Sequence, residues 1–278
     1  MQDAIMLHVP IPEPGRRRPA QVPATRLCAG SKASRLVMPL GRDVHVWLLD
    51  LRDMGPDATS LLDASEMERA QRFVYAHDWR RYVAAHAWLR RILASYTGVD
   101  ARHLRFAIGP HGKPLLATTG GTDTPLPTFN LSHSKDRALV AVAAGVEVGV
   151  DIEAVRADLP GADLAAAALT DGERAELEAS PTGDHASAFV GCWARKEACL
   201  KALGIGLCLE PRALYAGVHV QRCCLSPQGE GAAGHVDVAP LPAPPGFAAA
   251  LAAVDGFANV HHFDGAAKLA SLRLESVH

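Results

Sequence analysis

The chain has 278 residues, 49% of them hydrophobic and 21% charged, which is a globular composition with enough length for one large domain or two smaller ones. The formal net charge of −2 provides no global basic field, so we expect no nucleic-acid partner. The sequence shows neither a signal-peptide pattern nor an uninterrupted apolar run of bilayer-spanning length, and its six cysteines form no Cys-x-x-Cys pair. We therefore expect a cytoplasmic protein with free thiols and no membrane contact.

The first part of the chain predicts an irregular arm, a strand and a long helical region. Residues 1–41 are rich in proline and include an arginine triplet, so we interpret them as an N-terminal arm. The alternating segment DVHVWLLDL (43–51) predicts a strand. The apolar spacing of residues 57–98 predicts helix, with a break near 76–78 and an end at Gly98. A strand, a turn and a strand follow around the motif GKP (112–114).

The next segments complete this order, and a second round of strand, helices and strands begins near residue 148. The segments FNLSHS, RALVAVAAG and VEVGVDIE (129–153) predict three strands, and helical periodicity then runs through 161–179 and 184–206. The remainder reads as strands and loops. Because strand, helices and antiparallel strands occur twice, we predict an α+β fold of two similar lobes, residues 42–147 and 148–278. A pseudo-twofold axis would relate the lobes, each a small, mostly antiparallel sheet packed with helices.

Arginines are concentrated between residues 62 and 105. This segment has eight arginines and no lysine against five acids, a local surplus of three positive charges. Two interpretations stay open: a solvated helix with ordinary surface arginines, or a surface that faces phosphate or an acidic partner.

The segment VGVDIE (148–153) places two carboxylates on one face of a strand. Side chains alternate along a strand, so Asp151 and Glu153 point the same way and Ile152 points the other way. Two neighbouring carboxylates repel each other, which indicates either a solvated strand end or a site for a cation.

The helix 184–206 offers a third carboxylate. Trp193, Glu197 and Lys201 lie four residues apart and share one helix face. Glu197 could complete a set of three oxygen ligands with Asp151 and Glu153, which suits Mg²⁺ or Mn²⁺. The alternative is an ordinary Glu–Lys surface pair.

Polar groups suited to phosphate occur at two predicted turns. In FNLSHS, Ser132 and Ser134 flank His133, and hydroxyl and imidazole groups can hold phosphate oxygens. Lys113 in GKP is a second candidate. A Ser–His hydrolase dyad is disfavoured, because adjacent residues seldom reach the required geometry and no Gly-x-Ser-x-Gly elbow is present.

Taken in order, GKP, FNLSHS, VGVDIE and WARKEACLKALGIGL resemble the 4′-phosphopantetheinyl transferase superfamily, in its two-lobed type, from about residue 43 to 256. The resemblance implies two α+β lobes with the active site in the cleft between them. It also implies transfer of the phosphopantetheine arm from coenzyme A, as co-substrate, to a serine of an apo acyl, peptidyl or aryl carrier protein. Adenosine 3′,5′-bisphosphate would leave, with Mg²⁺ on the pyrophosphate.

The resemblance also assigns roles to residues. By the resemblance, Asp151, Glu153 and Glu197 would be the metal ligands. Our own interpretation of the helix spacing adds that Glu197 would act as the base, directly or through a water, and that Lys201 would assist the leaving phosphate. Glu66 departs from the family, in which a basic residue is common thereabouts, so that contact to the 3′-phosphate is in doubt. The implied coenzyme A contacts are Arg69, Arg81, Lys113, Ser132, His133, Lys196 and Lys201.

Two other functions remain as alternatives. A metal-dependent phosphodiesterase or nuclease would use the same acids to activate water, but the near-neutral charge of the chain argues against nucleic acid. A non-catalytic coenzyme A-binding module would not need the intact acids and Lys201. We expect a monomer, because two lobes in one chain already complete the cleft.

Overall fold

The structure, a computed structural model, describes residues 36–109, 111–117, 126–156, 161–206, 209–219, 222–225, 235–265 and 267–269. Most of the predicted N-terminal arm (1–41) therefore lies outside the described residues. Among the described cysteines, Cys192 and Cys199 are buried free thiols.

Ten strands and six α-helices make up the described part of the chain. The strands are β1 (Val44–Asp50), β2 (Phe106–Ile108), β3 (Pro114–Leu116), β4 (Thr128–Ser134), β5 (Arg137–Ala143), β6 (Val148–Ala154), β7 (Cys223–Leu225), β8 (Val236–Leu241), β9 (Phe247–Val254) and β10 (Val260–Asp264). The helices are α1 (Ala58–Leu61), α2 (Ala64–Ala70), α3 (Ala76–Thr97), α4 (Ala162–Ala168), α5 (Asp171–Ala179) and α6 (His185–Leu203). None of these helices combines the length and hydropathy of a membrane span.

Two four-stranded sheets repeat one connectivity, which confirms the predicted α+β class. The first sheet has the order β10-β1-β5-β4 and the second has the order β6-β9-β8-β7. In the first sheet β1 pairs antiparallel with β5, which pairs antiparallel with β4; in the second sheet β6 pairs antiparallel with β9, which pairs antiparallel with β8. The long helices α3 and α6 also end alike, at Gly98 and Gly204, whose φ angles of 72° and 66° suit glycine.

The core arranges these elements in four layers. Apolar residues of α3 pack on one face of the first sheet, and those of α6 pack on one face of the second. The two remaining sheet faces meet in a third cluster, which includes Val46, Leu139, Val150, Ile152 and Leu251. The sheets are therefore packed face to face, with one long helix on each outer side.

Two predicted helical regions are divided more finely than the apolar spacing indicates. In the first region, α2 begins with a capping box in which Asp63 and Glu66 accept each other's backbone N–H groups, and residues 71–75 separate it from α3. In the second, Thr170 and Glu173 form the same motif and start α5 anew after α4. The predicted break at 76–78 was therefore placed slightly late.

The last strand returns to the first sheet. β10 pairs parallel with β1, with Val44 opposite Val260. A division into lobes at 147/148 stays a proposal, and under it β10 crosses back from the second lobe to the sheet of the first.

Helix α6 lies unusually close to β6 at Gly149. A Cβ atom at this position would lie 2.0 Å from the carbonyl oxygen of Ala198 and 2.3 Å from the backbone nitrogen of Ala202. Both are helix backbone atoms, which cannot yield as a flexible side chain would. The missing side chain therefore sets the distance between strand and helix.

We expect Gly149→Ala to lower the free energy of unfolding by about 3 kcal/mol or more, because overpacking against backbone forces the helix away. Gly183→Ala is the matched control, since its Cβ would meet nothing within 4 Å. Urea denaturation followed by circular dichroism measures both variants. Equal midpoints for the two would show that α6 does not rest on Gly149.

Candidate active site

Strand β4 meets strand β6 through side chains. The Asn130 side-chain oxygen accepts the Val150 N–H at 2.9 Å, and the Ser134 hydroxyl accepts the Ala154 N–H at 3.1 Å. Between them the Ser132 hydroxyl accepts the Ile152 N–H over a longer 3.4 Å. We call Asn130, Ser132 and Ser134 the polar ladder, because alternate residues of β4 satisfy alternate amides of β6.

The same two serines hold the two carboxylates of β6. Ser132 donates to Asp151 Oδ1 at 2.7 Å, and Ser134 donates to Glu153 Oε2 at 2.9 Å. Asp151 is 1% exposed and Glu153 is 8% exposed. The carboxylates are therefore buried side by side between β4 and α6, which rules out a solvated strand end.

Helix α6 brings a cation and a third carboxylate to this place. The Lys201 ammonium donates to Asp151 Oδ1 at 2.6 Å and to the Ser132 hydroxyl at 3.1 Å. Glu197, one turn earlier on the helix, is half-buried and interacts electrostatically with Lys201 and Asp151. Asp151 thus has partners on β4 and α6 at once.

Burial dominates the electrostatics of the site. It raises the pKa of Glu153 to about 7, with repulsion from Asp151 adding to the shift. Burial likewise raises the pKa of Glu197 to about 7, although the nearby Lys201 opposes the shift. Burial alone would lower the pKa of Lys201, but attraction to Asp151 and Glu197 outweighs it and raises that pKa.

The donor set fits a hard divalent cation. All three predicted ligands offer carboxylate oxygens, and Asp151 Oδ2 is a buried oxygen without a hydrogen-bond partner in the described structure. Within the described residues, however, no three His, Cys, Asp or Glu side chains are already gathered at metal-ligand spacing. The triad of Asp151, Glu153 and Glu197 therefore stays a prediction.

Two further predicted phosphate contacts, Lys113 and His133, lie on different elements, the first near the start of β6 and the second on β4. Lys113 donates to Glu147 Oε2 at 2.7 Å and to the Val148 carbonyl at 3.0 Å, so it joins the β2–β3 turn to the start of β6. His133 is half-buried, and strand alternation directs it away from the face of Ser132 and Ser134.

The two predicted arginine contacts, Arg81 and Arg69, lie on α3 and α2. Arg81 Nε donates to Asp136 Oδ1 at 2.9 Å, which ties α3 to the β4–β5 turn beside the polar ladder. Arg69 is exposed on α2. The side-chain hydrogen bonds of Arg81 go to Asp136 and Asp78 and not to the carboxylates of β6.

Lys196 does not reach the site. Its side chain is 0% exposed and donates to Glu173 Oε2 at 2.5 Å, to the Ala168 carbonyl at 2.9 Å and to the Pro211 carbonyl at 3.0 Å. These three acceptors use all three ammonium protons. The contact to coenzyme A that the resemblance implied for Lys196 is thus replaced by a structural role behind α6.

The Arg-rich segment 62–105 is largely internal or paired. Arg90 is fully buried and donates to Glu66 Oε2 at 2.7 Å and Asp63 Oδ2 at 2.8 Å. Glu66, which departs from the family pattern, is therefore the partner of a buried arginine. Arg91 is also buried, while Arg72 and Arg102 pair with neighbouring acids. Most of these arginines therefore do not form a continuous anion-facing surface.

Comparison with known proteins identifies the class of this fold and site. Residues 55–146 match the family model described as 4′-phosphopantetheinyl transferase, N-terminal, and residues 147–245 match that of the 4′-phosphopantetheinyl transferase superfamily. The chain is 33% identical over 171 residues to the 4′-phosphopantetheinyl transferase HetI of Nostoc, covering 60% of this chain and 71% of that relative. The chain belongs to the 4′-phosphopantetheinyl transferase superfamily and is a transferase.

Other relatives are matched over a smaller part of their length. The human L-aminoadipate-semialdehyde dehydrogenase-phosphopantetheinyl transferase is 28% identical over 176 residues, which are 60% of this chain and 54% of the relative. The transferase AcpT of Salmonella typhi is 41% identical over 96 residues, 34% of this chain and 47% of that protein. The chain thus spans about half the length of these two relatives.

We expect Lys196→Met to lower the free energy of unfolding by about 3–5 kcal/mol, because Glu173, itself 0% exposed, would keep a buried charge without its cation. The double variant Lys196→Met, Glu173→Leu should recover part of this loss. Arg72→Met is the control, since it opens an exposed pair and should leave the urea midpoint unchanged. A stable Lys196→Met protein with weakened coenzyme A binding would instead restore the contact implied by the family.

Proposed function

We propose that this protein transfers the 4′-phosphopantetheine group of coenzyme A to a serine of an apo carrier protein, releasing adenosine 3′,5′-bisphosphate in a Mg²⁺-dependent reaction. It would thereby act as a holo-[acyl-carrier-protein] synthase type transferase. The observation that supports this proposal best is the meeting of Asp151, Glu153 and Lys201 between β4 and α6. Transfer from a pyrophosphate to a serine hydroxyl requires acidic oxygens that hold a hard cation and an ammonium that neutralises charge on the phosphate oxygens.

Three carboxylates of this chain would hold the metal. Asp151, Glu153 and Glu197 supply oxygen donors, and a bound Mg²⁺ would neutralise negative charge on the pyrophosphate. The buried oxygen Asp151 Oδ2 has no hydrogen-bond partner in the described structure, so it is the carboxylate oxygen most available to coordinate a cation.

Glu197 suits the role of general base. The serine hydroxyl of a carrier protein must lose its proton when it attacks the β-phosphate, and a base works best when its pKa is near the operating pH. Burial raises the pKa of Glu197 to about 7 before any cation binds. A bound cation would lower this pKa, so Glu197 would accept the proton directly or through a water.

Lys201 suits the role of the group that stabilises or protonates the leaving phosphate. Its raised pKa keeps the ammonium charged, and its side chain is still 29% exposed. An ammonium held against Asp151 is also fixed in direction, so it need not reorganise when charge develops.

Coenzyme A contacts are proposed for Arg69, Arg81, Lys113, Ser132, His133 and Lys201, and are not extended to Lys196. The expected partner is an acidic carrier protein of the acyl, peptidyl or aryl type, met by the exposed arginines of segment 62–105. A cytoplasmic location and a monomeric state remain predictions.

Mass spectrometry of apo carrier proteins incubated with coenzyme A, Mg²⁺ and this protein tests the reaction. We expect a mass gain of one phosphopantetheine arm on the carrier and release of adenosine 3′,5′-bisphosphate. Cleavage of coenzyme A without a gain on any carrier would favour the phosphodiesterase alternative. Binding of coenzyme A without either product would favour the non-catalytic module.

We expect Lys201→Ala to lower single-turnover transfer by about 10²–10⁴-fold while changing coenzyme A affinity much less, because its interaction is made mainly in the transition state. Lys201→Arg should recover only part, since a guanidinium keeps the charge but does not readily give up a proton. Rapid-quench transfer rates and coenzyme A titrations measure the two effects. Weakened binding with normal turnover would make Lys201 a ground-state phosphate contact.

A further inference from the structure

The polar ladder joins two sheet edges that do not pair through their backbones. β4 is the last strand of the first sheet and β6 is the first strand of the second. Amides at an unpaired sheet edge need other acceptors when they are buried. Asn130, Ser132 and Ser134 provide those acceptors at every second residue.

Ser134 has two partners on two consecutive residues of β6. Its hydroxyl oxygen accepts the N–H of Ala154 at 3.1 Å, and its proton goes to Glu153 Oε2 at 2.9 Å. A hydroxyl has one proton, so donation to the carboxylate fixes its orientation. The backbone of β6 and the carboxylate of Glu153 are thereby held by one atom.

Glu153 depends on this contact more than Asp151 depends on Ser132. Asp151 also receives the Lys201 ammonium, whereas the Ser134 hydroxyl is the hydrogen-bond donor that the described structure shows for Glu153. Without the Ser134 hydroxyl, no hydrogen-bond donor among the described residues would fix the direction of the Glu153 carboxylate.

We propose that Ser134 is a positioning residue, which orients Glu153 for divalent-cation binding by anchoring its carboxylate to the backbone of β6. This inference rests on the proposed function, because it concerns a ligand of the proposed metal. Residues that orient a metal ligand are typically worth about 10- to 100-fold in metal affinity. Ser134 would therefore act on the cation through Glu153 and not through contact with substrate.

The test compares Ser134→Ala with Ser134→Thr, which keeps the hydroxyl, and with Ser187→Ala, which removes an exposed hydroxyl bonded to Asp184 at the start of α6. Electron paramagnetic resonance of Mn²⁺, with and without coenzyme A, measures cation affinity without catalysis. Amide hydrogen exchange of Ala154 separately measures whether the hydrogen bond from its N–H to the Ser134 hydroxyl is kept. We expect Ser134→Ala to weaken Mn²⁺ binding by about 10-fold or more and to speed Ala154 exchange, with Thr near wild type and Ser187→Ala unchanged.

Each other outcome contradicts the proposal in a recognisable way. Faster Ala154 exchange with unchanged Mn²⁺ affinity would show that Ser134 stabilises the backbone of β6 but does not position Glu153 for the cation. Unchanged exchange and affinity would remove the anchor as well, while the proposed function would stand if carrier proteins still gain the arm. A wild-type protein that binds no Mn²⁺ even with coenzyme A would overturn the metal site of the proposed function, and this inference with it.

Discussion

The buried charge of Asp151 is the constraint on which the rest of the site depends. An ionised carboxylate that is 1% exposed costs several kcal/mol unless hydrogen bonds and an opposite charge compensate it. Ser132 on β4 and Lys201 on α6 provide that compensation from two different layers of the fold. One carboxylate therefore ties the first sheet and the outer helix to the strand that carries it.

One face of β6 packs in the hydrophobic core, and the other face carries the charged residues of the site. Val148, Val150 and Ile152 point into the core between the sheets, where they pack against β1, β5 and β9. Gly149 lies on the other face with the two acids, and its missing side chain lets α6 approach. A larger residue there would push α6 away and displace both Lys201 and Glu197 from β6. The geometry of the site therefore requires glycine at position 149.

Local periodicity predicted what depends on neighbours in sequence. Strand alternation placed Asp151 and Glu153 together, and helical spacing brought Glu197 and Lys201 to one face. It could not predict partners that only tertiary packing supplies. The serines of FNLSHS contact strand β6, twenty residues onward, and not a turn of their own, and Lys196 is buried because α5 carries Glu173 beneath α6. The sequence pattern likewise could not show that Arg90 is buried and pairs with Asp63 and Glu66 at the start of α2.

A double-mutant cycle between Asp151→Asn and Lys201→Met, read as the free energy of unfolding, tests the central claim most directly. If the ammonium compensates the buried carboxylate, the two changes should couple by about 1 kcal/mol or more, the double variant losing less than the sum of the singles. Lys201 keeps part of its side chain in solvent, so the coupling should stay below that of a fully buried pair. Additive losses would show that Asp151 is held by other groups and contradict the account.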